Sequence, residues 1–202
     1  MLHCLQLGLF QNIQVTQFER GMIMVQEINL ERGKARRCML AMWVDVQEAH
    51  GSVPNADLLL NSAIWEPLGI GTEDASITYE YDESTTTDIW NITETLVSNV
   101  NQSITFDPYY IRAGDSLQSI LLDKVNRGAW DELSLFRVMV ARYYVGDDEQ
   151  WQAEVHHGCT IKVISEGGSS YVSMPIDLTF GGHKLMGQVK VKPPEIPTFY
   201  AV

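Results

Sequence analysis

Between Trp151 and Val191 apolar and polar side chains alternate over the longest stretch of the chain. Trp151, Ala153, Val155, Cys159, Ile161 and Val163 share one row, broken by His157, while Gln152, Glu154, His156, Thr160 and Lys162 share the other. A period of two places one row on a buried face and the other toward water. After the turn-prone Gly167-Gly168-Ser169-Ser170, the pattern resumes with Val172, Met174, Ile176, Leu178 and Phe180 against Ser173, Asp177 and Thr179. Gly181-Gly182 predicts a tight hairpin with positive-φ backbone, and Lys184 to Val191 predicts the returning strand. Three strands with short links make an antiparallel meander, and its apolar face has to be covered by another layer.

The earlier elements are less regular. Ile13, Val15 and Phe18, then Ile23, Val25 and Ile28, mark two weak strand candidates. Met39 to Val46 is apolar enough for a buried strand or a short helix. His50 to Ile70 carries Gly51, Pro54, Asn55, Asn61 and Pro67 and reads largely as a long loop, in which Trp65 needs a place to be buried. Ile77 to Tyr81 predicts a strand and Asp82 to Asp88 a polar, acidic turn. Ile89 to Ile92 and Leu96 to Val100 are short apolar pieces, Ser103 to Phe106 alternates again, and Pro108 ends that strand. One helix is well marked: Asp115 or Ser116 caps it, and Leu117, Ile120, Leu121 and Val125 form a single apolar stripe. Lys124 and Arg127 lie near its negative end, and Gly128 closes it. Leu135 to Val145 predicts a strand apolar on both faces except at Arg137 and Arg142, and Asp147-Asp148-Glu149 the loop back to Trp151.

Composition adds constraints. The chain has 202 residues, 45% of them hydrophobic, and a formal net charge of −12. Up to Ile70 there are 5 basic and 7 acidic residues; from Gly71 onward there are 9 and 19. The excess acid therefore belongs to the strand-rich part. That argues against binding nucleic acid through phosphate neutralisation, but not against a surface past which nucleic acid slides without sticking. Arg32, Lys34, Arg36 and Arg37 form the one basic cluster, beside Gly33, and read as a solvated turn. Cys4, Cys38 and Cys159 are an odd count with no close pair. Cys159 lies in the apolar row, so a buried free thiol and a reducing compartment are expected. Met1 to Phe10 lacks the marks of a signal peptide, and no apolar run is long enough to span a bilayer. The Asn91-Ile92-Thr93 and Asn101-Gln102-Ser103 sequons are chance matches on this reading.

Catalytic chemistry finds no purchase. His156 and His157 are adjacent in a strand and point to opposite faces, so they cannot jointly grip a metal. His3, His50 and His183 have no ligand-spaced neighbours, and nucleophile-elbow, phosphate-loop and dinucleotide motifs are missing. The acidic groups Asp82-Glu83 with Asp88, and Asp147-Asp148-Glu149, lack the spacing of a calcium loop. Glu73, Asp74 and Glu80 have no apolar bracket to perturb a pKa. The expectation is a chain with no catalytic, cofactor or metal residues.

The order of parts in the second half resembles the tail tube proteins of long-tailed bacteriophages. Trp65-Glu66-Pro67-Leu68-Gly69 precedes an acidic strand, Ile77 to Asp82. Ile104-Thr105-Phe106-Asp107-Pro108 leads to Arg112-Ala113-Gly114-Asp115-Ser116 and the helix. Two long strands follow, Leu135 to Tyr144 and Gln152 to Ile164, then Ser165-Glu166-Gly167-Gly168, Met174 to Phe180, Gly181-Gly182 and Met186-Gly187-Gln188-Val189. The resemblance covers about Trp65 to Val191 and rests on order, spacing and acidity rather than on any single motif. It implies a mainly β antiparallel sandwich or barrel with one flanking helix, assembling into stacked hexameric rings around an acidic lumen for viral DNA. Its partners would be copies of itself and other tail proteins (tape measure, terminator, baseplate components), with no membrane; its location would be the virion tail, after assembly in the host cytoplasm. The candidate lumen rows are Gln152, Glu154, Thr160 and Lys162, or Ser173, Asp177 and Thr179.

The expected organisation is residues 1–70 as an N-terminal arm, strands and long loop for ring and stacking contacts, 71–191 as the tube-like body, and 192–202 as a C-terminal tail. The loop from His50 to Ile70 and the tail Lys192-Pro193-Pro194-Glu195-Ile196-Pro197 either contact a neighbouring ring or are disordered. Two other functions fit the same residues. One is a terminator, neck or hub protein of the same fold, which forms one ring and stops. The other is a β-sandwich module that binds a carbohydrate or peptide on an exposed aromatic platform containing Trp90 or Trp130.

Overall fold

A computed structural model describes residues 34–47, 63–70, 72, 75–147, 149–193 and 195–201. The N-terminal strand candidates, most of the loop from His50 to Ile70, and His3, Cys4, Glu73, Asp74 and Asp148 lie outside the described residues. The strands are β1 (Leu40–Asp45), β2 (Trp65–Pro67), β3 (Thr78–Thr87), β4 (Thr93–Phe106), β5 (Phe136–Gly146), β6 (Trp151–Val163), β7 (Ile176–Thr179), β8 (His183–Val189) and β9 (Phe199–Ala201). Helix α1 spans Ser116–Arg127 between β4 and β5. All described pairings are antiparallel, in the order β2-β1-β5-β6-β7-β4-β3, with β8 on β6 and β9 on β8. The fold is mainly β with one flanking helix, as the alternation predicts.

Strand β6 joins two sheets, and this overturns the simple meander. Its first half pairs with β8, from Trp151↔Val189 to His157↔His183, and its second half with β7, from Thr160↔Thr179 to Val163↔Ile176. Strands β7 and β8 therefore run the same way along one edge of β6, and Gly181-Gly182 is the corner between them rather than a hairpin. Neither glycine has a positive φ; the positive φ is on the facing strand, at Gly158 (66°). Gly181 is required for another reason: a Cβ there would overlap the His157 carbonyl oxygen.

A bulge accompanies the corner. Val138 pairs with His156, but Phe136 pairs with Cys159, so β6 holds one extra residue. An extra residue reverses which face each later side chain takes. Trp151, Ala153 and Val155 consequently pack in one apolar cluster with Trp43, Trp65, Tyr143 and Phe199. Cys159 and Ile161 pack in the other, with Phe106, Phe136, Leu178, Leu117 and Leu121. What reads as one row serves two cores. Before the bulge the companion row does not simply face water either, because Glu154 and His156 are buried.

Strand β5 is buried on both faces, as its run of apolar residues predicts, and its Arg137 is buried beside Asp45 on β1. Trp65, expected to need cover, is buried in the three-residue β2. The basic cluster is not simply solvated: the Arg37 guanidinium donates to the carbonyls of Leu40 and Ala75. Helix α1 follows its sequence signals. Asp115 accepts a hydrogen bond from the Gln118 N–H at 3.0 Å, and Gly128 is left-handed at the other end. The tail returns to the body, where β9 pairs with β8, Phe199 enters the second cluster and the Lys192 ammonium lies over the Trp151 ring.

Candidate functional site

Below the bulge, β6 is part of a four-stranded sheet with β7, β4 and β3, whose two faces differ sharply. One face supplies the core through Ile161, Leu178 and Ile104, then Ile176 and Phe106. The opposite face is polar across all four strands. Thr160, Thr179, Ser103 and Thr78 follow one another by register, and beside them lie Lys162, Asp177 and Thr105. The Thr105 hydroxyl donates to Asp177 Oδ1 at 2.5 Å. Farther along β3 and β4 the same face continues with Asn101 and Glu80, Asn99 and Asp82, the exposed Leu96 beside Ser84, then Glu94 beside Thr86. Its charged groups are Glu80, Asp82, Glu94 and Asp177 against Lys162, so the face is acidic with a single cation.

The same two strands outrun the body. Every residue of β3 is exposed, and β4 is exposed from Thr93 to Asn101 before its end enters the core. Ten residues at about 3.3 Å each give an arm of about 30 Å. Its polar face is the one just described. Its other face continues the core side of the sheet, yet among the described residues nothing underlies it beyond the base. Tyr79, Tyr81, Val97 and Val100 lie there, between 39% and 56% exposed. Farther out the cross-strand pairs Thr85–Thr95 and Thr87–Thr93 join their hydroxyls. A bulge at Ser98, whose hydroxyl donates to the Asp82 carbonyl, keeps the aromatic row and Val97 on one side. At the tip Asp88 Oδ1 accepts from the N–H groups of Trp90 and Ile92, and Asn91 takes a left-handed φ of 63°.

The segment from Asp82 to Asp88, expected as an acidic turn, is thus mostly strand, and the turn is the apolar Ile89-Trp90. Thr85 to Thr87 are good strand formers whose polarity hid them.

Between the base of the arm and the β6–β8 corner lies a trough of about 700 Å³, bordered by Tyr79, Tyr81, Val100, His156, Phe180 and Lys184. An ionic cluster adjoins it through His156 and Lys184. Glu154 receives Arg142 Nη2 at 2.6 Å, and it lies 3.2 Å from His156 Nε2 and 3.5 Å from Lys184 Nζ. Burial alone would raise the Glu154 carboxyl; the hydrogen bond from Arg142 and the adjacent His156 imidazole prevail and hold it well below the usual carboxylate range. Tyr79, at the arm's base, lines the trough together with His156 and Lys184 of this cluster.

Two motifs far apart in sequence meet at the start of α1. Glu66 Oε2 accepts from the N–H groups of Ser116 and Leu117 at 3.2 and 3.3 Å, where a carboxylate suits the positive end of the helix. Arg112 donates to the Ile70 carbonyl, and Gly69 packs against Phe106 closely enough that a Cβ there would crowd the ring. The spacing of Trp65-Glu66-Pro67-Leu68-Gly69 and Arg112 to Ser116 thus serves one junction.

The predicted lumen rows are regrouped. Thr160 and Lys162 from one and Asp177 and Thr179 from the other share the polar face, because β6 and β7 are neighbours there. Glu154 does not belong, being buried, and Gln152 precedes the bulge; Ser173 lies outside the strands and bridges to Gly167 and Tyr110. Trp90 and Trp130 are 79% and 61% exposed, but they sit on different elements, the arm tip and the turn after α1. Cys159 is buried and reduced, with burial pushing its thiol up to about 12. His157 stacks edge-on to His183 at 5.6 Å, on the face of β6 opposite His156. No described helix is long and apolar enough to cross a membrane.

The sequence matches no protein-family model and no curated protein. Among solved structures, the chain is similar to one in the PVC sheath–tube complex of an extracellular contractile injection system in the extended state (10% identity, 77% of this chain and 93% of that one, TM-score 0.46). It is also similar to a chain of the PVC sheath/tube terminator (8% identity, 78% and 99%, TM-score 0.46) and to one of the native gene transfer agent virion (13% identity, 83% and 100%, TM-score 0.44).

Proposed function

We propose that this chain is a structural subunit of a viral tail tube, which assembles into stacked rings and presents the polar face of β3-β4-β7-β6 to a lumen that conducts DNA. One observation carries the reading: the arm extends a sheet beyond its own core, with Tyr79, Tyr81, Val97 and Val100 exposed on its underside and, among the described residues, no strand pairing either edge beyond the base. A two-stranded ribbon is marginal by itself, and bare edges invite pairing. Copies arranged in a ring supply both what lies beneath the arm and what lies beside it. Six copies of a four-stranded sheet, at about 4.8 Å per strand and a tilt of about 40°, close at a backbone diameter of roughly 50 Å, wider than a DNA duplex.

The polar face suits passage rather than binding. Thr, Ser and Asn dominate it, and Lys162 lies beside Asp177, so phosphates meet no run of cations to hold them. Six copies, a place in the virion tail after assembly in the host cytoplasm, and contacts with tape measure, terminator or baseplate components belong to the same proposal. Negative-stain electron microscopy of the purified protein tests it. Open-ended tubes of stacked rings are expected. Single rings that never stack would make the chain a terminator, neck or hub protein, and monomers at high concentration would overturn the proposal.

A further inference from the structure

We infer that the tip of one copy's arm, Ile89-Trp90, seats in the trough beneath the arm of the next copy. The inference rests on the self-assembly proposed above and names the contact that makes it directional. At the tip, Ile89 is 95% and Trp90 79% exposed, on a turn held rigid by Asp88. Large apolar side chains on a preorganised loop lose little entropy on docking. The trough is framed by Tyr79, Tyr81, Val100 and Phe180, and its volume of about 700 Å³ accommodates both side chains. Charge agrees as well: Lys184 borders the trough, and the tip carries Asp88 with Glu94 close behind.

The occupant is a second copy because a chain's own tip cannot reach. Tyr79 and Asp88 lie at opposite ends of β3, about 30 Å apart along a ribbon that would have to fold back on itself. Burying Trp90 removes on the order of 200 Å² of surface, a fraction of the roughly 800 Å² per partner that a stable interface buries. The tip is therefore the anchor of a contact completed by the arm's edges. Tip and trough are different patches, so the contact is head-to-tail, and such contacts close into rings or continue as filaments.

A complementation experiment tests this. Trp90→Ala removes the tip and leaves the trough; Tyr81→Arg blocks the trough and leaves the tip. Both positions are exposed, and matched thermal melts of each variant against the intact monomer check that folding is preserved. In sedimentation velocity each variant alone is expected to need at least tenfold more protein than the intact chain to assemble. Mixed, the two are expected to give one-to-one heterodimers that grow no further, since one good contact remains per pair. Assembly of Trp90→Ala at the intact chain's concentration overturns the inference, as does a mixture that stays monomeric while the intact chain assembles. An intact chain that is itself monomeric overturns the self-assembly proposal along with it.

Discussion

Glu154 shows how a polar residue in an alternating strand can be misread. Its position between Ala153 and Val155 gives it the parity of a solvent-facing side chain, yet it is buried among Arg142, His156 and Lys184. A buried carboxylate with such partners is costly to neutralise. Glu154→Gln is expected to destabilise the fold by about 3 kcal/mol at neutral pH, measured by urea unfolding. The folded carboxyl lies below its ordinary value of 4.5, so this stability is fully present above that pH and is lost as pH falls toward the folded value. The gap between the two proteins should therefore narrow in acid; a gap that is constant from neutral pH to pH 3 would show that the charge is not the cause. Gly181 makes a second case. It passes so close to the His157 carbonyl that Gly181→Ala must push the two strands apart, at a cost of about 3 kcal/mol, the upper end for overpacking. A melting temperature unchanged by the substitution would mean that the corner is not tightly packed. The glycines were visible in the sequence, but local patterns cannot tell a hairpin from a corner: both need a residue without a side chain, and only the pairing partner differs.

The elements were legible in proportion to how local their signals are. Helix α1 carried its cap, stripe and terminator within fourteen residues, from Asp115 to Gly128, and it formed as read. Its most distant support, Glu66, was not readable, since a carboxylate fifty residues away has no periodic relation to a helix. Glu66→Ala is expected to cost about 1 kcal/mol in thermal unfolding, from the lost hydrogen bonds and helix-end charge, while Glu66→Gln recovers part of it. No change in either variant would reduce the junction to coincidence. Strand β5 was clear because both faces are apolar. The arm was hidden for the opposite reason. Its strands bury almost nothing within one chain, so the core-facing alternation that identifies a strand is weak, and Glu83 to Thr87 reads as a loop. The clue available was Tyr79-Glu80-Tyr81-Asp82, a short strict alternation continued by β-branched residues.

At the scale of the whole molecule, the sequence carried the class and the charge, and the structure supplies their arrangement. A mainly β fold with one helix followed from patterning, and the surplus of acid after Gly71 now has a partial address on the outer face of the arm. What no single chain's pattern can carry is a surface whose complement lies on another molecule. None of the residues from Asp82 to Asn99 belongs to either apolar cluster, so this segment can be removed without opening the core. The direct measurement is sedimentation velocity on the intact chain beside one in which residues 82–99 are replaced by Asn-Gly, joining Tyr81 to its cross-strand partner Val100. The intact chain is predicted to form rings or longer assemblies as concentration rises, while the shortened chain stays monomeric with its thermal unfolding preserved. A shortened chain that assembles as readily as the intact one would contradict the account.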